Sequence, residues 1–203
     1  MSEKLDGATV VDTIEAKANL LTGLSDRIWE YAELSMLEYK SAAAYIQILK
    51  EEGFEVTEQL CNVPTAFSGS FGSGKPVIGI LGEYDALPSL SQKAGSSVRE
   101  PLIPDGAGHG CGHNLFAGGS VAAAFAMKTY IEETGKGSVT LFGCPGEEGA
   151  GGKVFMAREG VFDSTDAVVS WHPESMYMVR TRPALATVEV DYAFEGIAAH
   201  AGA

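Results

Sequence analysis

Three apolar segments, at 76–82, 138–142 and 167–171, constrain the fold of this chain more than any other feature. Each is a nearly continuous run of aliphatic and small residues, which is typical of a strand buried on both faces of a parallel sheet. An alanine-rich helical stretch at 115–133 separates the first two, and a short helical segment at 153–159 separates the last two. Strands that alternate with helices predict an α/β fold, with a mostly parallel sheet between helices.

Candidate functional side chains follow each of these three segments. Glu83 and Asp85 come after the first, the adjacent pair Glu147 and Glu148 after the second, and His172 directly after the third. The carboxyl ends of parallel strands meet at one edge of a sheet, and ligand sites of open α/β sheets favour that edge. The recurrence therefore predicts one site, built from three loops.

A glycine-rich segment at 108–114 supplies two further candidates, Cys111 and His113. Thiolate, imidazole and carboxylate together form the ligand set of zinc or another late transition metal. Of two adjacent carboxylates, one can hold the metal while the other takes a proton from water that the metal activates. Two other interpretations stay open: a buried thiol beside a structural histidine, and a cysteine nucleophile with a histidine base.

The rest of the chain predicts further elements of the same domain. Hydrophobic periodicity indicates helices over 11–32 and 38–52, a strand that begins at 54, and an outer strand over 66–71. From about residue 184 apolar and polar residues alternate, as in a half-exposed strand, and no terminating element follows. We expect the catalytic domain over 1–184 and the start of a second domain over 185–203, so that the chain is a fragment.

Composition excludes several classes of partner. A formal net charge of −13 on 203 residues leaves no basic surface for nucleic acid or for an anionic membrane. No run reaches the roughly 18–20 apolar residues of a membrane span. Three cysteines are too few for a disulfide scaffold, and the first residues lack the apolar core of a signal peptide, so we expect a cytoplasmic protein.

Five short motifs, at 82–88, 108–114, 143–149, 171–174 and 196–201, resemble in their order the aminoacylase/carboxypeptidase family of dinuclear zinc or manganese metallopeptidases. Asn114, and the triplet at 144–146 before the Glu pair, are similar to the branch that hydrolyses p-aminobenzoyl-glutamate. The resemblance implies a three-layer catalytic domain of the zinc-exopeptidase kind, split by an inserted dimerisation (lid) domain. The family's last metal-binding histidine follows that insertion.

The resemblance also implies roles for individual residues. Two divalent metal ions, zinc or manganese, are expected at a site held by Cys111, His113, Glu148 and His172. Glu147 is expected to act as general base, and Asp85 to orient the metal ligands. His200 corresponds to a lid histidine that reaches the partner subunit's site and stabilises the oxyanion.

Four other residues receive a less direct interpretation. Glu83 stands where other branches carry a histidine ligand, so we expect it to support the site while Cys111 ligates. His109 is expected to pack within its loop or to support the metal ligands without binding the metal. Arg180 and Arg182 could bind a substrate carboxylate, but a solvated pair is the better interpretation.

The implied activity is hydrolysis of the amide bond of N-acyl or N-aroyl amino acids, p-aminobenzoyl-glutamate among them, by a homodimer with or without a second subunit. Two alternatives stay open: a metallo-dipeptidase or carboxypeptidase acting on short peptides, and a non-catalytic metal-binding subunit. The 203-residue chain alone is expected to show little activity, since it ends before the final ligand.

Overall fold

A computed structural model describes residues 7–179, 181, 185–186, 188, 190, 192–197, 200 and 202. The chain divides into two units, Met1–Pro173 and Glu174–Ala203. The described residues of the second unit form neither helix nor strand. The elements of the first unit are the helices α1 (Gly7–Ala16), α2 (Ala18–Tyr31), α3 (Tyr39–Glu51), α4 (His113–Thr134) and α5 (Gly152–Arg158), and the strands β1 (Glu55–Glu58), β2 (Phe67–Gly72), β3 (Val77–Gly82), β4 (Ser138–Gly143) and β5 (Ala167–Val169).

The five strands form one sheet in the order β1-β2-β4-β3-β5. The strands β4, β3 and β5 are parallel, whereas β1 and β2 are added antiparallel at the other end. The α/β fold predicted from the three apolar segments is therefore confirmed. Because β3, β4 and β5 run in the same direction, the loops that follow them leave the sheet at the same edge.

Apolar side chains cover both faces of the sheet. The larger core joins α2, α3 and α4 to one face and includes Leu24, Tyr45 and Val121, none of which is exposed. A smaller core on β4 and its neighbours includes Phe142, Cys144 and Met156 of α5. Successive residues of β4, Leu141 and Phe142, belong to different cores, as the alternation of side chains along a strand requires. The sheet is thus the middle of three layers.

The prediction of a single helix over 11–32 is wrong in one respect: the structure has two helices here, which are separated at Lys17. The backbone of Lys17 leaves the helical region, with φ −110° and ψ 10°, and its N–H bonds to the carbonyl of Ile14, three residues back. The Lys17 ammonium pairs with Glu52, at the end of α3, over 2.5 Å. This contact with a distant part of the chain leaves no trace in the local periodicity.

Two strand predictions need correction. The segment predicted as an outer strand forms β2, but β1 pairs with its free side and is itself the edge. The segment at 167–171, predicted to be buried, forms a short β5 whose Val168 and Val169 are 43% and 56% exposed. In the part of the chain that the structure describes, β5 pairs with β3 alone, so its side chains lack a neighbouring strand on one side.

The predicted strand around 188–194 falls partly on residues outside the described set, and the domain boundary near 185 stays a prediction. Within the described residues, no helix is both long enough and apolar enough to span a lipid bilayer.

Candidate metal centre

The cysteine and the histidine of the glycine-rich segment flank the start of α4. Gly108 pairs with Leu87 in an isolated antiparallel bridge, which ties this segment to the loop after β3. Gly112 is the N-terminal cap of α4 and has a φ of 78°, a conformation that glycine adopts without strain. His113 is the first residue of the helix and is fully buried, while Cys111 is partly exposed. The turn thereby places thiol and imidazole beside the strand ends.

Asp85 holds the imidazole of His113 in one orientation. The Nδ1–H of His113 donates to Asp85 Oδ1 at 2.9 Å and to the Asp85 carbonyl at 3.1 Å, since both partners can only accept. Asp85 Oδ2 accepts the Ser35 hydroxyl at 2.8 Å and the Glu148 N–H at 2.9 Å. Burial alone would raise the pKa of Asp85, but these donors outweigh it and lower the pKa. An ionised Asp85 leaves Nε2 of His113 free to act as a ligand.

Nε2 of His113 faces the other candidate ligands. It lies 3.1 Å from Glu83 Oε2, and 3.9 Å from carboxylate oxygens of both Glu147 and Glu148. It is buried and has no hydrogen-bond partner within the described part of the chain, and the same is true of Glu148 Oε1. Burying a polar atom without a partner is costly, and two such atoms in one cluster indicate a place for a bound ion.

Cys111 and His172 contact each other close to His113. The Cys111 Sγ and the His172 Nε2 are 3.3 Å apart, and Nδ1 of His172 lies 2.8 Å from the Pro173 carbonyl. Burial, followed by the nearby charge of Glu148, raises the pKa of the Cys111 thiol to about 12. A raised pKa favours the neutral thiol, and a bound cation would favour the thiolate that ligates a metal.

The three carboxylates after β3 and β4 differ in exposure. Glu83 is 8% exposed at its side chain, Glu148 17% and Glu147 40%. Glu83 also forms an ion pair with Lys153 of α5. Burial and then the charge of Glu83 raise the pKa of Glu147, while Lys153 partly offsets this shift. Glu147 is thus the carboxylate with both access to solvent and a raised pKa.

Among the residues that the structure describes, two groups of donors lie close enough to hold a metal ion. Cys111, His113 and His172, which we name the Cys111 group, present ligand atoms within 4.8 Å of one another. Glu83, His113 and Glu147, which we name the Glu83 group, do the same. Sulfur and imidazole suit zinc, and carboxylates suit manganese or zinc, so the donors present fit the predicted divalent ions.

Comparison with known proteins agrees with this site. Residues 79–200 match the model of "Peptidase family M20/M25/M40". The chain belongs to this peptidase family. It is 48% identical over 191 residues to a subunit of the p-aminobenzoyl-glutamate hydrolase of Escherichia coli, a match that spans 94% of this chain and 40% of the relative. It is 29% identical to the Xaa-Arg dipeptidase of Mus musculus over an alignment of 205 residues that covers 95% of this chain and 43% of the relative.

A solved structure shows the same M20 fold. The YXEP protein of Bacillus subtilis, described as a dinuclear metal-binding peptidase from the M20 family, superposes with a TM-score of 0.67 at 23% identity. The match covers 79% of this chain and 44% of that one. This M20 chain spans less than half the length of these relatives. The family resemblance inferred from five motifs is therefore confirmed, as is the fold class.

Six of the seven predicted site residues of this M20 chain come together. Four of them lie around His113 Nε2, and Asp85 holds the His113 ring in place. The six residues are Cys111, His113, Glu148, His172, Glu147 and Asp85. Their individual roles stay predictions. His200, the seventh, is exposed in the other unit, where its Nδ1 accepts the Gly202 N–H at 3.1 Å. Arg180 and Arg182 lie outside the described residues.

Three residues of this site had weaker signals in the sequence. Glu83, predicted only to support it, lies with His113 and Glu147 in the Glu83 group. Its position directly after a buried strand is the signal that made it a candidate in the sequence. Ser35 and Lys153 contact the site through Asp85 and Glu83, but neither lies in a motif that indicates such a contact.

His109 packs against α2 and not within its own loop. Its Nε2 bonds to the Ile28 carbonyl at 2.9 Å, and its ring stacks on Trp29. Both contacts are those of a histidine that packs within the protein.

Proposed function

We propose that this chain supplies the metal ligands and the general base of an amidohydrolase that cleaves N-acyl or N-aroyl amino acids, with p-aminobenzoyl-glutamate as the first substrate to test. The observation that carries the proposal is the buried Nε2 of His113, unpartnered and surrounded by Glu83, Glu147 and Glu148. The similarity to the Escherichia coli p-aminobenzoyl-glutamate hydrolase supports the substrate class.

Four residues would hold the divalent ions in this proposal: Cys111, His113, Glu148 and His172. When bound, such ions polarise the amide carbonyl and lower the pKa of water from about 15.7 toward about 7. Asp85 has the task of fixing the His113 ring, because it accepts the Nδ1 proton and leaves Nε2 to ligate. Asp85 also fixes Glu148 by accepting its backbone N–H.

Glu147 is the residue we assign as general base. It is the most exposed of the three carboxylates, and its pKa is raised by burial and by Glu83. A carboxylate with a raised pKa takes a proton from the attacking water more effectively at neutral pH. Glu147 would then deliver that proton to the nitrogen of the leaving amine, so the step needs no covalent enzyme intermediate.

The remaining assignments concern the whole protein. His200 is proposed to stabilise the oxyanion in the partner subunit's site of a homodimer formed through a lid domain, with or without a second type of subunit. A cytoplasmic location is proposed because three cysteines are too few for a disulfide scaffold. The assignments of His200 and of the dimer rest on the family resemblance.

The test is turnover of p-aminobenzoyl-glutamate by the natural protein that contains this chain, compared with its Glu147→Gln variant. We expect the variant to retain its metal content by mass spectrometry and to lose about 10²–10⁴-fold in kcat. Glu58→Gln is the matched control, because Glu58 is exposed on β1, the strand farthest from β5 in the sheet order. Undiminished turnover in Glu147→Gln would contradict the assignment of the base.

A dipeptidase activity is the second candidate, favoured by the similarity to the Xaa-Arg dipeptidase. A substrate panel separates the two, since aroyl amino acids and dipeptides differ in the group on the acyl side of the scissile amide. If the protein retains metal but hydrolyses neither class, it is a non-catalytic metal-binding subunit.

A further inference from the structure

Two hydrogen bonds to buried carboxylates hold the backbone around Glu147, the proposed base. Before it in the chain, the Gly146 N–H donates to Glu38 Oε1 at 2.7 Å. After it, the Glu148 N–H donates to Asp85 Oδ2 at 2.9 Å. Both accepting carboxylates are buried, so water does not compete for these hydrogen bonds. The backbone on each side of Glu147 is therefore fixed, although its side chain is 40% exposed.

The turn between α2 and α3 contributes to both of these hydrogen bonds. Glu38, its last residue, is the acceptor of the first, and the Ser35 hydroxyl donates to Asp85 Oδ2, the acceptor of the second, at 2.8 Å. The turn is itself tied to the loop after β3, because the Glu33 carbonyl accepts the Ala86 N–H at 2.8 Å. One short turn is therefore in contact with both loops that carry the carboxylates of the site.

Thr65 holds the Glu38 carboxylate in its orientation. The Thr65 hydroxyl donates to Glu38 Oε2 at 3.0 Å, whereas Oε1 accepts the N–H groups of Gly146 and of Met36. Thr65 is buried, and its carbonyl accepts the hydroxyl of the fully buried Tyr84 at 2.6 Å. Because donors face both oxygens, a rotation of the Glu38 carboxylate would weaken hydrogen bonds on both of them.

We propose that Glu38 is a positioning residue for the reaction: it holds Gly146, and thereby fixes where the carboxylate of Glu147 lies relative to the bound substrate. This role rests on the proposed function, because it takes Glu147 as the base. Asp85 holds Glu148 independently, so the loss of Glu38 should displace the base and leave the metal ligand in place. A displacement of a reacting group by about 1 Å can lower a rate by about 100-fold.

The experiment measures kcat and KM for p-aminobenzoyl-glutamate, and metal content by mass spectrometry, in the natural protein that contains this chain. Glu38→Ala should lower kcat about 10–100-fold and leave KM and the metal content unchanged, because Glu147 acts in the chemical step. Glu38→Gln should retain most of the kcat, since its amide oxygen can still accept both N–H groups. A loss of folded protein would instead lower kcat and metal content together.

Thr65→Val and Thr65→Ser test the same arrangement if Glu38→Ala folds poorly. Thr65→Val removes the hydroxyl that donates to Glu38 Oε2, and it should lower kcat about three- to tenfold, less than Glu38→Ala because the hydrogen bond of Gly146 remains. Thr65→Ser keeps the hydroxyl and should retain kcat. Thr140→Val is the matched control, because the same substitution on β4 removes a hydroxyl that contacts Ser70 at 3.0 Å. Equal kcat in the two valine variants would overturn the inference.

Amide hydrogen exchange supplies a measurement that needs no turnover. By NMR on the metal-free chain, Glu38→Ala should speed exchange at the Gly146 N–H and leave the Glu148 N–H protected, because Asp85 still accepts it. Unchanged exchange at Gly146, undiminished kcat in Glu38→Ala, or a loss in Glu38→Gln as large as in Glu38→Ala would each overturn the inference. Full turnover by Glu147→Gln would instead contradict the assignment of the base in the proposed function, whatever the Glu38 variants show.

Discussion

Glu38 is expected to stabilise the loop that carries the proposed base. Its side chain is fully buried and lies between three segments of the chain. Oε1 accepts the N–H of Gly146 at 2.7 Å and that of Met36 at 2.9 Å, while Oε2 accepts the Thr65 hydroxyl at 3.0 Å. Gly146 directly precedes Glu147, so Glu38 anchors the start of the loop after β4.

Glu38→Ala should lower the free energy of unfolding by about 2–6 kcal/mol. The buried Gly146 N–H loses its acceptor, at a cost of about 1–3 kcal/mol, and the two other hydrogen bonds contribute about 0.5–1.5 kcal/mol each. Glu38→Gln should cost about 1 kcal/mol or less. Its amide oxygen can still accept both N–H groups, and its amide nitrogen can donate to Thr65, whose hydroxyl can also accept.

Urea unfolding followed by circular dichroism measures both values on the same chain. Glu51→Ala, an exposed position at the end of α3, is the control and should change the free energy by about 0.5 kcal/mol or less. The reasoning would be refuted if Glu38→Ala cost no more than this control. It would also fail if Glu38→Gln cost as much as Glu38→Ala.

The pH dependence of Glu38→Gln gives an independent check. Burial raises the pKa of Glu38 above its ordinary value of 4.5, although its hydrogen bonds partly offset the shift. The stabilisation linked to a raised carboxyl pKa is complete below the unfolded pKa and is lost as the pH rises through the folded pKa. Glutamine cannot ionise, so the cost of Glu38→Gln should be largest in acid and decrease toward neutral pH.

Two further predictions concern the metal and the sheet. Cys111→Ser should reduce the zinc content of the purified chain, measured by mass spectrometry, because serine offers no thiolate; unchanged zinc after dialysis against a chelator would exclude Cys111 as a ligand. Gly143→Ala should cost about 1–3 kcal/mol in urea unfolding, because its new Cβ would overlap the ring of the fully buried Phe67 on β2. Gly23→Ala in α2 is the control, because a Cβ there meets nothing within 4 Å, and it should stabilise the chain by about 0.5–1 kcal/mol. The same change in the free energy of unfolding at both positions would rule out the overlap at Gly143.

Residues close in sequence determined the parts of the fold that were predicted correctly. The apolar runs that became β3 and β4 are continuous, and each ends at a glycine before polar residues. These two runs also predicted the edge of the sheet at which the site lies, because the loops that follow parallel strands leave the sheet at the same edge. Cys111 and His113 were recognised because a thiol and an imidazole in a glycine-rich turn form a ligand pattern that is local in sequence.

Contacts between distant residues decided the rest. The break of the first helix at Lys17, next to its ion pair with Glu52, and the buried Glu38 between three segments depend on partners far away in sequence. The pairing of Lys153 with Glu83 joins residues 70 positions apart. Periodicity and motifs describe neighbours along the chain, so the sequence by itself determined the candidate ligands at the sheet edge. Only the tertiary structure decided which charges and hydrogen bonds these side chains meet there, because their partners lie far away in sequence.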